Sequence, residues 1–116
     1  MKRADIIEVI NGHPSPEAYG LITSEEWANG LDRLIPQHMQ NGVVLWVCMG
    51  ILPGSFLRAV VENDLFGACR AADDVNQNAI FRYANFFHNY APSECFGSPK
   101  KVAAWEKQGG LGAREE

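Results

Sequence analysis

The stretch Gly50-Ile51-Leu52-Pro53-Gly54-Ser55-Phe56-Leu57-Arg58-Ala59-Val60-Val61-Glu62-Asn63-Asp64-Leu65 decides how this chain folds. Gly50 follows an apolar run and suits the residue just past a helix, where a left-handed backbone is wanted and a Cβ is unfavourable. Pro53-Gly54 is a tight turn that opens a new segment. Leu57, Val60, Val61 and Leu65 then form an apolar stripe, and Asp64 is placed to cap a further helix. Arg58 and Glu62 stand at i, i+4 on the open face, in the weaker orientation, worth a few tenths of a kcal/mol at most. The stretch specifies architecture and carries no recognisable chemistry.

Toward the N-terminus, Met39, Val43, Trp46, Val47 and Gly50 fall at helical spacing. Val43 to Met49 also reads as a buried strand, because it is β-branched and bounded by Asn41-Gly42, and periodicity cannot separate the two in so short a run. Helix is favoured, since no second convincing strand exists to pair with it. Pro36 suits a first helical turn, where its missing N–H is no loss. Thr23-Ser24-Glu25-Glu26 has the pattern of a capping box and opens a helix with Trp27, Leu31 and Leu34 on one face. His13-Pro14-Ser15-Pro16 cannot continue a helix, so residues 11–23 read as a loop behind a short helix from Lys2 to Ile10.

Toward the C-terminus, Leu65, Cys69, Ala72, Asn76, Ala79, Tyr83, Phe86 and Tyr90 alternate steps of four and three, a heptad-like seam with Asn76 as its polar member. Asp73-Asp74 can instead start a separate helix after a bend at Ala72; both readings stand. Ala91-Pro92 ends the seam, Ser98-Pro99 is an N-cap followed by proline at N1, and a last helix runs through Val102 and Trp105 to Gln108-Gly109-Gly110. The expected fold is all-α, a single-domain compact bundle of roughly five to six helices. Residues 1–35 form an N-terminal helical extension, 36–108 a helical core and 109–116 a Gly-rich tail. Trp46, Leu57, Val60, Val61, Leu65, Ala72, Ala79, Tyr83 and Phe86 are expected in the core.

At 116 residues and 47% hydrophobic, the chain can bury roughly two-thirds of its unfolded surface in one core. Its formal charge of −4 argues against a general nucleic-acid binder, which needs a Lys/Arg stripe to neutralise phosphates. Three widely spaced cysteines, an odd number, argue against a disulfide framework and for a reducing compartment. Cys48 and Cys69 read as small buried hydrophobes, and Cys95, beside Phe96-Gly97 in a loop, as the exposed one. The basic start Met1-Lys2-Arg3 is followed by Asp5 rather than by a signal core. The longest apolar run, Val43 to Leu52, is about half a membrane span. A soluble, intracellular protein is expected.

The side chains that could carry chemistry are dispersed. His13, His38 and His88 lack a second metal ligand three or four residues away. Ser55 lies in Pro-Gly-Ser-Phe without the flanking pattern of a nucleophile turn. Glu62, Asp64, Asp73 and Asp74 stand near helix starts, where carboxylates act as caps. No catalytic, cofactor or metal residue is assigned. Arg58, Arg70 and Arg82, with Asn63, Asn76, Asn78, Asn85 and Asn89, place guanidinium and amide groups along two adjacent helices, groups that read phosphate, carboxylate or base edges. The bland alternative is a solvated face, with Arg70 paired to Asp73 or Asp74.

Aromatics crowd the end of the seam, and Phe81 and Phe87 diverge by about 120° around a helix. One of its sides therefore needs a second cover, either the last helix with Trp105 or another copy of the chain. The candidate partner- or ligand-binding residues are Arg58, Arg70, Asn78, Phe81, Arg82, Phe87 and Tyr90. A homo-oligomer is expected, with Phe81, Phe87 and Tyr90 near its interface and Arg70 and Arg82 on its polar rim.

Gly50-Ile51-x-Pro53-Gly54-Ser55-Phe56-Leu57-x-Ala59-Val60-x-x-Asn63-Asp64-Leu65, followed by Ala91-Pro92-Ser93-x-Cys95-Phe96-Gly97-Ser98-Pro99-x-Lys101-Val102-x-Ala104-Trp105, resembles small helical proteins encoded by bacteriophages and prophages. The resemblance spans about residues 36–106, and it implies a helical fold, a phage origin and the bacterial host cytoplasm. It brings no catalytic residues with it. The function it suggests is a non-enzymatic phage accessory protein that binds and blocks a host or defence-system component, as anti-CRISPR and other anti-defence inhibitors do. The alternatives are a small-ligand sponge for nucleotide signals, and a virion-assembly or replication accessory protein.

Overall fold

Trp27, Trp46 and Trp105 are all but completely withdrawn from solvent, and the helices are arranged around them. A computed structural model describes residues 24–111, in which every regular element is helical. In order these are α1 (Ser24–Leu34), a 3₁₀ turn (Gln37–Met39), α2 (Gln40–Met49), α3 (Ser55–Val61), α4 (Leu65–Ala71), α5 (Asp74–Gln77), α6 (Ile80–Tyr90), a 3₁₀ turn (Ser93–Cys95) and α7 (Pro99–Gln108). The all-α fold is as the sequence indicates. The expected helix at Lys2–Ile10, the capping hydroxyl of Thr23 and the tail beyond Leu111 lie outside the described residues.

α1 buries Trp27, Ala28, Leu31 and Leu34 on one stripe, with Glu25 and Glu26 in its first turn and Arg33 in its last, each matched to the helix dipole. Although it lies within the stretch 1–35 set apart above, it contributes directly to the core. Pro36 disfavours a helical Ile35 and stops it. The buried Gln40 carboxamide then closes the corner, its Nε2 donating to the carbonyls of Ile35 (3.0 Å) and of Leu31 (3.3 Å), the latter also accepting the Ile35 N–H.

α2 settles the ambiguity over Val43–Met49 in favour of helix. It buries Val43, Val44, Trp46, Val47 and Cys48, so apolar residues surround it and no clean stripe exists to read. Gly50 ends it in the left-handed conformation, at φ 67°. α3 buries Phe56, Leu57, Ala59 and Val61. Asn63, also left-handed at φ 64°, turns the chain into α4, whose first turn Asp64 caps by accepting the Gly67 N–H at 2.9 Å.

The seam expected from Leu65 to Tyr90 is three helices, and this split raises the count among the described residues to seven α-helices. Ala72 leaves the helical region at ψ 135°, and Asp73 restarts the chain by accepting the Asn76 N–H at 2.7 Å. An aspartate that caps a new helix competes with continuing the old one. The phase is therefore lost between Leu65 and Tyr83. Leu65, expected in the core, is 60% exposed, while Tyr83 and Phe86 are buried. Val60 and Ala72 are partly buried; Trp46, Leu57, Val61 and Ala79 are buried as expected. The polar seam residue Asn76 is buried too, and its Oδ1 accepts the Tyr83 hydroxyl at 2.7 Å.

Two cysteines exchange roles. Cys69, expected inside, is exposed on the outer side of α4. Cys95, expected outside, is buried, because the loop after α6 folds inward. There its carbonyl accepts the Trp46 indole N–H at 3.0 Å, and the Gly97 N–H bonds the Val61 carbonyl at 2.7 Å. α7 begins as expected, with the Ser98 hydroxyl accepting the Lys101 N–H ahead of Pro99, and ends at a left-handed Gly109. Leu111 is buried beyond it.

Candidate functional site

α3 and α4 form a short hairpin around Asn63 and Asp64, and α6 runs across it. Ala59, Ala68 and Ala84 line the seam between them, and with no larger side chain at those positions a groove of about 730 Å³ stays open. Tyr83 and Phe87 form its base, Val60 and Ile80 its walls, and Phe96 also lines it. Leu65 and Phe81 stand on its rim, with Phe81 79% exposed. Gly67 is needed nearby, because a Cβ there would collide with the Asp64 carboxylate that caps α4.

The groove's polar lining is Asn63, Asp64, Asn85, His88 and Asn89, and it includes no lysine or arginine. Asp64 is held in its capping bond, and Asn89 donates to the side-chain oxygen of Asn85 at 2.6 Å. The surface is thus mostly apolar, with amides and one carboxylate at its edge.

A second depression of about 500 Å³ is lined by Pro36, Gln37, His38, Val75, Asn78, Ala79 and Arg82. His38 bridges to Asp73, Nε2 to Oδ2, at 2.9 Å. The Asn76 backbone N–H and then His38 hold the Asp73 carboxyl below its ordinary value. The Asn78 side chain donates to the Asp74 carbonyl at 3.0 Å.

The candidate residues divide between these places. Phe81 and Phe87 line the groove, and Asn78 and Arg82 line the second depression. Phe87, expected at a surface, is a core residue: it packs edge-on to Phe86 at 5.4 Å and meets only the groove's floor. Arg58 is paired with Glu62 at 3.1 Å, and Arg70 is exposed on α4 without lining either cavity. Tyr90 is half-buried against α1. Its hydroxyl accepts from Arg33 at 2.6 Å, and its ring lies where a Cβ on Gly30 would be. The residues missed from sequence are Leu65, read as core, and His38, Gln37 and Val75, whose meeting with α6 depends on the path between α1 and α2.

The thiols offer little nucleophilic chemistry inside the fold. Burial pushes Cys48 up to about 12, and it raises Cys95 as well, with help from Glu94. Among the described residues no three His, Cys, Asp or Glu side chains cluster to hold a metal, and no helix is long and apolar enough to cross a membrane. No protein-family model, curated protein or solved structure matches the chain.

Proposed function

We propose that this chain is a non-enzymatic phage accessory protein that binds a bacterial host or defence-system protein and blocks it, and that the groove between the α3–α4 hairpin and α6 receives the partner. The observation that carries the reading is Phe81, 79% exposed beside an open apolar groove, with Leu65 60% exposed on the same rim. Burying each such side chain stabilises a complex by about 1.5–3 kcal/mol, and large apolar side chains clustered at a concavity mark interaction sites. The phage resemblance supplies the host compartment, the bacterial cytoplasm.

The occupant is an apolar segment of a protein, presented as a helix or an extended strand. Its flanks are neutral or basic, because the lining includes Asp64 and no lysine or arginine, and the whole chain is acidic. A photo-crosslinking amino acid in place of Phe81, with Ala103 on α7 as the control position, tests this in bacterial lysate. One discrete host protein captured from position 81 and not from position 103 is the expected result. A crosslinked species at twice the 12.8 kDa chain mass would make the occupant a second copy and overturn the heterologous reading. Equal capture from both positions would overturn the groove itself.

A further inference from the structure

The depression beside His38 has a polar lining that includes no carboxylate. The Arg82 guanidinium has no ion pair or hydrogen bond among the described residues; it stands in the first turn of α6 and lines the cavity. His38 lines the same cavity. Asp73 reaches the site's edge through His38, and both of its oxygens are engaged: Oδ1 accepts the Asn76 N–H and Oδ2 meets His38 Nε2. That contact fixes the imidazole ring beside the cavity. Gln37 and Asn78 add amides, and Pro36, Val75 and Ala79 form an apolar bed, with Val75 55% exposed. In a chain of net charge −4, a cavity lined by a free guanidinium, an imidazole and two amides stands out as attractive to anions. It lies at the start of α6, where Ala79 supplies no side-chain cap and the helix dipole adds to the same sign.

The volume of about 500 Å³ falls within the range of small-molecule sites, about 300–1,000 Å³, which combine apolar walls with a few polar groups that orient the ligand. We infer that this cavity binds a small organic phosphate of nucleoside-monophosphate size. The phosphoryl group meets Arg82 and His38, and the flat or apolar remainder lies on Pro36, Val75 and Ala79. The guanidinium fork matches phosphate oxygens two at a time, and the amides of Gln37 and Asn78 remain for the ligand's edge. The site is separate from the groove and does not depend on the partner reading.

The test uses the full chain, labelled with ¹⁵N and titrated separately with AMP, inorganic phosphate and adenosine. AMP is expected to shift the amide signals of Gln37, His38, Asn78 and Arg82, to bind at least several-fold more tightly than inorganic phosphate, and to exceed adenosine by more. Arg82→Ala should weaken AMP at least tenfold with an unchanged melting temperature, Arg82→Lys should recover part of the loss, and Arg70→Ala on α4 should change nothing. AMP shifts that avoid these residues, or survive Arg82→Ala, would overturn the inference. Equal affinity for AMP and inorganic phosphate would overturn the organic part of it, leaving an adventitious ion only.

Discussion

Gly50 and Gly110 pass so closely that neither can carry a side chain. A Cβ on Gly50 would lie 2.6 Å from the Gly110 nitrogen, and a Cβ on Gly110 would lie 2.5 Å from the Gly50 nitrogen. Both residues are left-handed, at φ 67° and 68°. The end of α2 and the end of α7 are thereby locked together, and the same junction is held by the Trp105 indole N–H on the Trp46 carbonyl at 3.0 Å.

Gly50→Ala and Gly110→Ala should each lose stability in urea denaturation by about 1–3 kcal/mol from backbone strain alone, with steric overlap adding to it. Gly42→Ala, inside α2 and where a Cβ meets nothing within 4 Å, serves as the tolerant control. A Gly110→Ala protein as stable as that control would show that the two helix ends are not in contact.

Leu57 and Leu65 stand on neighbouring helices in opposite environments, 1% and 60% exposed. Leu57→Ala should cost about 2–5 kcal/mol, and Leu65→Ala less than about 0.5 kcal/mol. Comparable losses at both positions would restore the unbroken seam from Leu65 onward.

Much of this architecture is legible in local signals. Gly50, Asp64 and Ser98-Pro99 each act within one helical turn, and each does in the structure what its residue type does elsewhere. What is decided at a distance is not legible. The stripe through Leu57 and the seam through Asp73 both point Leu65 inward, and the seam points Cys69 inward too, but the Asp73 capping bond resets the phase. Cys95 is buried because Trp46, far away in sequence, takes its carbonyl as an acceptor. Helical spacing turns Phe81 and Phe87 apart, but it does not say which of them meets the core. His38, which lines the second cavity, reaches Asp73 by a contact no spacing rule anticipates.

The thiols give an inexpensive check on that reversal. In native protein a thiol reagent at neutral pH should modify Cys69 rapidly and leave Cys48 and Cys95 slow, since both are buried and raised in pKa. In denaturant all three should react. Rapid native labelling of Cys95 would put the loop after α6 outside the core.

Asp73 gives a pH signature. Its carboxyl is held below the ordinary value of 3.8, so its ionised form contributes stability above that pH, and the contribution disappears as pH falls through the lower folded-state value. Asp73→Asn keeps an acceptor for the Asn76 N–H but does not titrate. The wild-type advantage in melting temperature over this variant should therefore be present near neutrality and vanish in acid. A carboxyl titration midpoint above 3.8 by NMR would contradict the His38 and Asn76 contacts.

The docking claim is tested most directly by placing one charge at Phe81 and weighing the partner it loses. Phe81→Asp removes an exposed side chain and should leave the melting temperature within a degree or two of wild type. Phe87→Asp, by contrast, buries a charge in the core and should unfold the protein. Tagged wild type and Phe81→Asp are compared by quantitative mass spectrometry after recovery from bacterial lysate. The account predicts a discrete host protein enriched by wild type and reduced at least tenfold with Phe81→Asp, an equally folded variant. The same proteins recovered in the same amounts by both would contradict it.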